Sequence, residues 1–484
     1  MAGHNRRLTV TALLLSMFMA AMEATVVGTA MPTVIADLGG LALFGWVGSA
    51  YLLASTVSVP VYGKLADLYG RKPLMLFGIT LFLLGSMASG SAHSIVALIL
   101  ARAVQGLGAG AMQPIAITIV GDLYSMEERG RVQGLFGAVW GVAGVAGPLL
   151  GGLLVQTLSW RWVFWVNVPF GIASAALLFF AFREQPRTAR TLPLDWLGAL
   201  LLSLASLALL LGSAGELPAL TLPLGAALAL LFVYQARHAA DPVLPIALVM
   251  RRPIAVAAMS SLLLGATMMG ILMFVPLYVQ GVLGRTPAEA GATAAPMLVG
   301  WPIAATLTSR ALVRVGFRTP VWIGSVLCAL SLAAFAALLT PGANMLALQG
   351  VMFVYGLGMG FVNTTLLIAV QSSVGWEQRG VATATTMFSR SIGGALGVGA
   401  FGSVLAVQLG AVLPPDSVRA MLDPVRRHAI SGRAEIAAAL ASSLAPIFWA
   451  CAALAVLNVV VVAFYPRQAS APTPSTLRAA PLEA

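Results

Sequence analysis

A chain of 484 residues, 59% hydrophobic and only 9% charged, with a mean hydropathy of +0.94, has too much apolar surface to fold as two or three soluble domains, so its solvent is lipid. The net charge of +11 comes from basic residues set singly or in pairs between apolar runs, which excludes a nucleic-acid patch and fits loops that flank a membrane. The two cysteines, Cys328 and Cys451, both fall inside apolar runs, so neither a disulfide framework nor a metal site is expected.

The first apolar run, 8–31, begins like a secretory signal in "HNRRLTVTALLLSMFMAAMEA". It continues to Met31, just before Pro32, and so reads as an uncleaved first span with a single carboxylate, Glu23, near its middle. Thirteen further runs follow at 42–62, 73–92, 95–121, 132–156, 163–182, 196–214, 217–235, 253–280, 289–308, 320–340, 344–370, 381–409 and 446–465, each near the roughly 20 residues a helix needs to cross hydrocarbon. The expected fold class is an all-α polytopic membrane protein of fourteen transmembrane helices. An even number of crossings puts both termini on one side. With a cytoplasmic N-terminus the inner segments collect Arg6, Arg7, Lys64, Arg71, Lys72, Arg129, Arg131, Arg183, Arg187, Arg190, Arg237, Arg251, Arg252, Arg310, Arg314, Arg318, Arg379 and Arg467, while the short outer loops hold little beyond Arg161 and Arg285. A composition high in Ala, Gly and Arg fits a GC-rich bacterial genome, so the expected location is a bacterial plasma (inner) membrane, with both ends cytoplasmic.

Two inner stretches, "REQPRTARTLPLD" (183–195) and "ARHAADPVLPIALVMRRP" (236–253), bracket a pair of spans with hardly a polar residue. The chain divides accordingly into a six-span bundle (1–182), linkers with two extra spans (183–252), a second six-span bundle (253–466) and a Pro/Ala/Ser-rich tail (467–484) expected to be disordered. The outer segment 410–445 carries Arg419, Arg426, Arg427 and Arg433 and reads as short amphipathic helices on the outer surface. The inner loop "GKLADLYGRK" (63–72) aligns with "SRALVRVGFR" (309–318): Gly70 meets Gly316, Lys72 meets Arg318, and Asp67 meets Val313. Such a worn parallel repeat suits a transporter with its substrate site between the halves.

At this loop the chain resembles the major facilitator superfamily, through Gly63, Asp67, Gly70, Arg71 and Lys72. The resemblance implies a cytoplasmic latch between the halves, and Asp67, Arg71 and Asp122 are suited to its charge relay. Span four, "LILARAVQGLGAGAMQP", resembles the family's second motif through Arg102, Gln105, Gly106, Gly108 and Gly110. In span five, "VWGVAGVAGPLLGG" places Gly147, Pro148, Gly151 and Gly152 where the superfamily's antiporters carry their motif; small residues at this density let helices approach closely. "SWRWVFWVNVPFG" (159–171), the first span's "AMEATVVGTAMP", "VPLYVQGVLGRTPAEAGATAAPMLVG" and "SRSIGGALGVGAFG" are similar to the fourteen-span drug:proton antiporter-2 branch. The chain departs from that branch at Glu23, where aspartate is usual, at Gly28, where Asn is common, and at Val313, where the second loop copy has lost its acid.

Glu23 is the one acidic residue deep inside a predicted span. A lone carboxylate in a low-dielectric site has its pKa raised toward neutrality and can switch protonation at cellular pH. It is the expected proton-coupling acid, while Arg102 either takes part in proton transfer or tunes a nearby acid, or else snorkels or hydrogen-bonds neighbouring carbonyls. Apolar pocket candidates with a few polar handles are Thr25, Trp46, Tyr51, Gln105, Trp140, Met268, Met269, Met273, Phe274, Tyr278, Trp301 and Asn363. With no phosphate-cradling loop, no Cys/His cluster and no nucleophile beside a base, no ATP site, metal, cofactor or catalytic residue is expected. The reading is a proton-coupled exporter of lipophilic, cationic small molecules that works as a monomer among membrane lipids by alternating access. A dedicated exporter of a lipid, antibiotic or metabolite, and a non-transporting sensor or scaffold, are the alternatives.

Overall fold

In lipid no backbone amide can be left to water, so apolar runs of this length must be helices. The computed structural model describes residues 5–38, 44–184, 195–213, 215–340, 342–412 and 433–466, and every regular element among them is helical. The long helices are α1 (Arg6–Leu38), α2 (Phe44–Tyr69), α3 (Arg71–Gly90), α4 (Ile95–Leu123), α5 (Met126–Thr157), α6 (Asn167–Ala181), α7 (Trp196–Ser213), α8 (Pro218–His238), α9 (Arg252–Gly281), α10 (Pro287–Val315), α11 (Arg318–Ala337), α12 (Met345–Ser372), α13 (Arg379–Val412) and α14 (Arg433–Ala463). Among the described residues, eleven helices are long and apolar enough to cross a membrane.

Local sequence explains the boundaries. Ser125 with Glu128, and Thr286 with Glu289, form capping boxes at the starts of α5 and α10. The turns before α3 and α11 pass through Gly70 at φ 103° and Gly316 at φ 68°, conformations that favour glycine, so the aligned glycines of the two loop copies do the same backbone work. One boundary differs from expectation. The segment 410–445 is not a run of surface helices throughout, because α13 continues to Val412 and α14 already begins at Arg433. "RAEIAAALASSLAP" is rich in strong helix formers, and propensity carries the helix past its most apolar part. Residues 413–432, with Arg419, Arg426 and Arg427, and the tail 467–484 lie outside the described residues.

Two bundles of six helices share one packing scheme. In the first, α1 packs on α5 and α6, α4 on α2 and α3, and α3 on α6; in the second, α9 packs on α13 and α14, α12 on α10 and α11, and α11 on α14. Adding eight to each helix number of the first bundle reproduces the second, as expected of a six-helix repeat displaced by a two-helix insertion. Two seams join the halves, α2 with α13 and α5 with α10. The inserted pair, α7 and α8, leans on one seam alone, through contacts of α7 with α2 and α13. The seam helices are built from small residues: "SAYLLASTVSVPVYG" in α2 and "VATATTMFSRSIGGALGVG" in α13, against "WLGALLLSLASLALLL" in α7.

The halves meet at one end and part at the other. Along α5, a Cβ placed on each glycine would lie 3.1 Å from Thr306 at Gly134, 3.2 Å from Pro302 at Gly137, and 3.4 and 3.5 Å from Leu298 at Gly141 and Gly144; at Gly152 it would meet nothing within 4 Å. Gly48 of α2, Gly291 of α10 and Gly402 of α13 are equally open, whereas Gly63 of α2 sits tight against Gly380 and Ala384 of α13. The structure is therefore closed at the Arg71 end and splayed at the opposite end.

Candidate functional site

Two polar constellations interrupt the apolar packing. The first lies inside the first bundle. Glu23, on α1, is 1% exposed and Arg102, on α4, 2%, figures that leave neither charge in contact with solvent. The two form an ion pair. The other carboxylate oxygen of Glu23 accepts a hydrogen bond from Asn167 Nδ2 at 2.7 Å. Asn167 is held in turn by Ser86 Oγ at 3.1 Å, and that hydroxyl donates to the Phe164 carbonyl at 2.8 Å. Arg102 also donates to Gln105 Oε1 (2.7 Å) and the Val47 carbonyl (3.2 Å), and its guanidinium lies 4.3 Å from the centre of the Tyr51 ring. Five helices thus converge on one buried carboxylate.

Sequence reasoning treats Glu23 as a lone acid, and here the structure corrects it. The carboxylate has a full counter-charge and an amide donor, so its burial is compensated rather than bare. Asn167 escaped notice, although a single Asn in the apolar stretch "WVFWVNVPF" is the kind of signal that marks such a partner.

The second constellation closes the Arg71 end. Asp67, at the end of α2, reaches across to the start of α13, where its two oxygens accept from Gly380 N at 3.0 Å and Val381 N at 2.8 Å. It serves as the cap for a helix of the other half. Arg71 binds Asp67 at 3.4 Å, Asp122 at 2.9 Å and the Trp376 carbonyl at 2.9 Å, and stacks on the Trp376 ring at 4.3 Å. Arg379, on the far side, meets Asp122 at 3.3 Å and the Gly121 carbonyl at 3.3 Å. Asp67, Arg71 and Asp122 come together, Gly63 allows the close approach of α2 and α13, and Gly70 makes the turn. Lys72 stays out of the cluster: its Nζ donates to the Phe179 carbonyl at 2.6 Å. Glu184 takes the amides of Arg71 and Lys72 at 2.8 and 3.0 Å, capping α3. Arg379, Trp376 and Glu184 were invisible in sequence because their partners lie over a hundred residues away.

Of the antiporter motif, Gly147 abuts Thr25, whose hydroxyl also donates to the Ala143 carbonyl at 3.0 Å. Gly151 is buried and Gly152 faces open space; α5 runs through Pro148, whose side chain lies outside the described residues. The pocket candidates scatter. Tyr51 and Gln105 belong to the Arg102 cluster, Met269 packs under Gly394 of α13, and the Trp301 ring lies 3.8 Å from a Cβ placed at Gly137, in the seam. Asn363 is half-buried, with its Nδ2 unpartnered. Trp140 is half-buried against the first bundle's core, Met268 packs on the core of the second, and Trp46 is 37% exposed. Two further candidates are packing residues and a third is exposed. Tyr278 is fully buried and donates to the Thr340 carbonyl at 2.7 Å, Phe274 is buried edge-on to Phe401, and Met273 is 56% exposed on α9. Apolarity alone does not say which face of a helix a residue occupies.

The sequence profile of the Major Facilitator Superfamily matches residues 13–398. The chain belongs to the Major Facilitator Superfamily. Within this superfamily the Multidrug transporter protein MdtP of Bacillus subtilis (strain 168) is 35% identical over 442 residues, covering 89% of this chain and 81% of that one. Multidrug resistance protein 3 of the same organism is 36% identical over 410 residues, 82% of this chain and 79% of that one. Among solved structures, the human organic anion transporter MFSD10 (TETRAN) matches with a TM-score of 0.64 over 95% of this chain and 99% of that one; at 17% identity the likeness is one of fold. The all-helical, multi-pass architecture and its repeat are those of a superfamily transporter.

Proposed function

We propose that this protein exports lipophilic small molecules across a bacterial plasma membrane in exchange for protons, with all fourteen long helices crossing the bilayer, the Arg71 end and both termini cytoplasmic, and the monomer as the working unit. The observation that carries the reading is the buried Glu23–Arg102 pair. A proton arriving at Glu23 removes the charge that holds Arg102, and the guanidinium then has Gln105, the Val47 carbonyl and the Tyr51 ring to turn to. Because the pair ties α1 to α4 and, through Asn167, to α6, protonation changes the packing of the bundle as well as its charge. The names of the two Bacillus relatives support drug efflux, and the splayed end supports release to the outside.

The expectation of a cationic substrate rested on Glu23 as a free charge. With the carboxylate occupied by Arg102 and Asn167, that ground is gone and the reading widens to lipophilic compounds of any charge. The test is substrate-driven proton movement in proteoliposomes, read with a pH-sensitive dye, for wild type and Glu23→Gln. Glutamine keeps acceptor and shape but cannot take a proton, so the variant should fold and lose proton-coupled export. Equal proton-driven transport by both proteins would sink the coupling role.

A further inference from the structure

A charge in the middle of a span is costly enough to need a partner or a function. The deep charges of this chain are Glu23, Arg102 and one more, Arg390, eleven residues into α13. The first two cancel. Arg390 has no such relief, because the hydrogen bond its side chain makes is to the Met387 thioether at 3.3 Å, a weak acceptor, and no carboxylate among the described residues pairs with it. As a residue Arg390 is half-buried. Its setting on α13 follows from its neighbours. The Arg390 carbonyl lies against Gly265 of α9, while Ala384 and Met387 pack into the core of the opposite half. Arg390 therefore occupies the strip of α13 between the face turned to α9 and the face turned to the other bundle, which borders the space between the halves. The unpartnered amide Nδ2 of Asn363, on α12 of the same half, is a second donor in want of an acceptor.

We infer that Arg390 is the handle for an acidic group on the transported molecule, so that the substrates are amphiphilic anions or zwitterions: an apolar body bearing a carboxylate, sulfonate or phosphate. A planar fork of donors in a low-dielectric cleft recognises such a group strongly and in a set orientation. This inference rests on the export reading, and its test separates the two.

The probes are 8-anilinonaphthalene-1-sulfonate, its neutral twin N-phenyl-1-naphthylamine, and ethidium, each followed by fluorescence in proteoliposomes under an imposed pH gradient. Wild type should export the sulfonate at lower half-saturating concentration than the neutral twin, despite the sulfonate's weaker partition into lipid. Arg390→Gln should cut the ratio of sulfonate to neutral export roughly tenfold or more, the worth of one charge-assisted hydrogen bond, and Arg390→Lys should restore much of it. A packing role for Arg390 would lower all three probes together and leave the ratio unmoved, which overturns the inference. The wild-type comparison needs no variant to fold. Export of ethidium or the neutral probe without preference for the sulfonate overturns the inference and leaves the exporter standing, whereas export of none of the three overturns both.

Discussion

The two seams between the bundles are related by the internal repeat but built on different chemistry. The α2–α13 seam is polar at its closed end, where Asp67, Arg71, Asp122 and Arg379 interlock across the halves, and it is braced outside by α7. The α5–α10 seam has glycines 134, 137, 141 and 144 lying on Thr306, Pro302 and Leu298, with a spacing that widens steadily along the helix. The difference comes from the repeat itself. Val313 stands where Asp67's counterpart would be, and the start of α5, which that acid would cap, has its own capping box in Ser125 and Glu128. One seam therefore acts as a lock and the other as a rolling surface: charge-assisted bonds are made or broken as a unit, while small-residue packing slides at little cost.

The comparison breaks most severely at Asp67. Asp67→Ala leaves two helix-end amides of the other half without their acceptor, about 1 to 3 kcal/mol each, while Arg71 keeps Asp122 and the Trp376 carbonyl. Export should fall more than tenfold, and a cysteine placed at Ala384 should become reactive to maleimide, with the native cysteines silent because both are buried. On the rolling seam the expected effect is smaller and has a sign. Gly137→Leu should wedge the closed end open, whereas Gly152→Leu, which has free space around it here, should leave this state intact and oppose its reverse. Labelling rates of single cysteines at the two ends should move in opposite directions for the two variants.

Smaller still is the brace. Lys64, on α2, pairs with Asp241 in the stretch that follows α8, and Lys64→Ala should cost about 1 to 3 kcal/mol and loosen α7 and α8 without stopping transport, as a lower midpoint in a thermal melt would show. The smallest effect belongs to the splayed end of the first bundle. There Asp37 accepts from Trp160 Nε1 and from Arg161, both at 2.9 Å. The Trp160 hydrogen bond first, then that of Arg161, hold its carboxyl below the ordinary value of 3.8. A depressed pKa means that this contribution to stability is fully present above about pH 4 and fades as the pH falls through the lowered value. Asp37→Asn should therefore lower stability slightly at neutral pH and leave it nearly unchanged below the lowered value, flattening the acid side of the stability profile.

Much of this plan was legible in the residues. The apolar runs marked the helices, the glycines of the two loop copies marked equivalent turns, and an acid in the midst of "AMEATVVGTAMP" marked a site. What could not be read was the pairing of distant groups. Glu23 and Arg102 are separated by 79 positions and Asp67 and Gly380 by 313, distances over which no helical period carries information. The facing of side chains was lost for the same reason, so Tyr278 and Phe274, both buried in packing, read as pocket residues. Arg390 carries no sequence signal of its own, since it stands in the glycine-rich stretch "SRSIGGALGVGAFG" with no acid at helical spacing.

The borrowed cap on α13 has one further consequence. Since Asp67 belongs to the other half, the amides of Gly380 and Val381 are satisfied only while the Arg71 end is shut; each time that end opens, they face solvent with no acceptor of their own. Their hydrogens then become free to trade with deuterium, and the rate of that trade counts openings. If the proposed cycle opens that end, the first turn of α13 is a built-in isotopic clock for it, readable without a variant or a substrate.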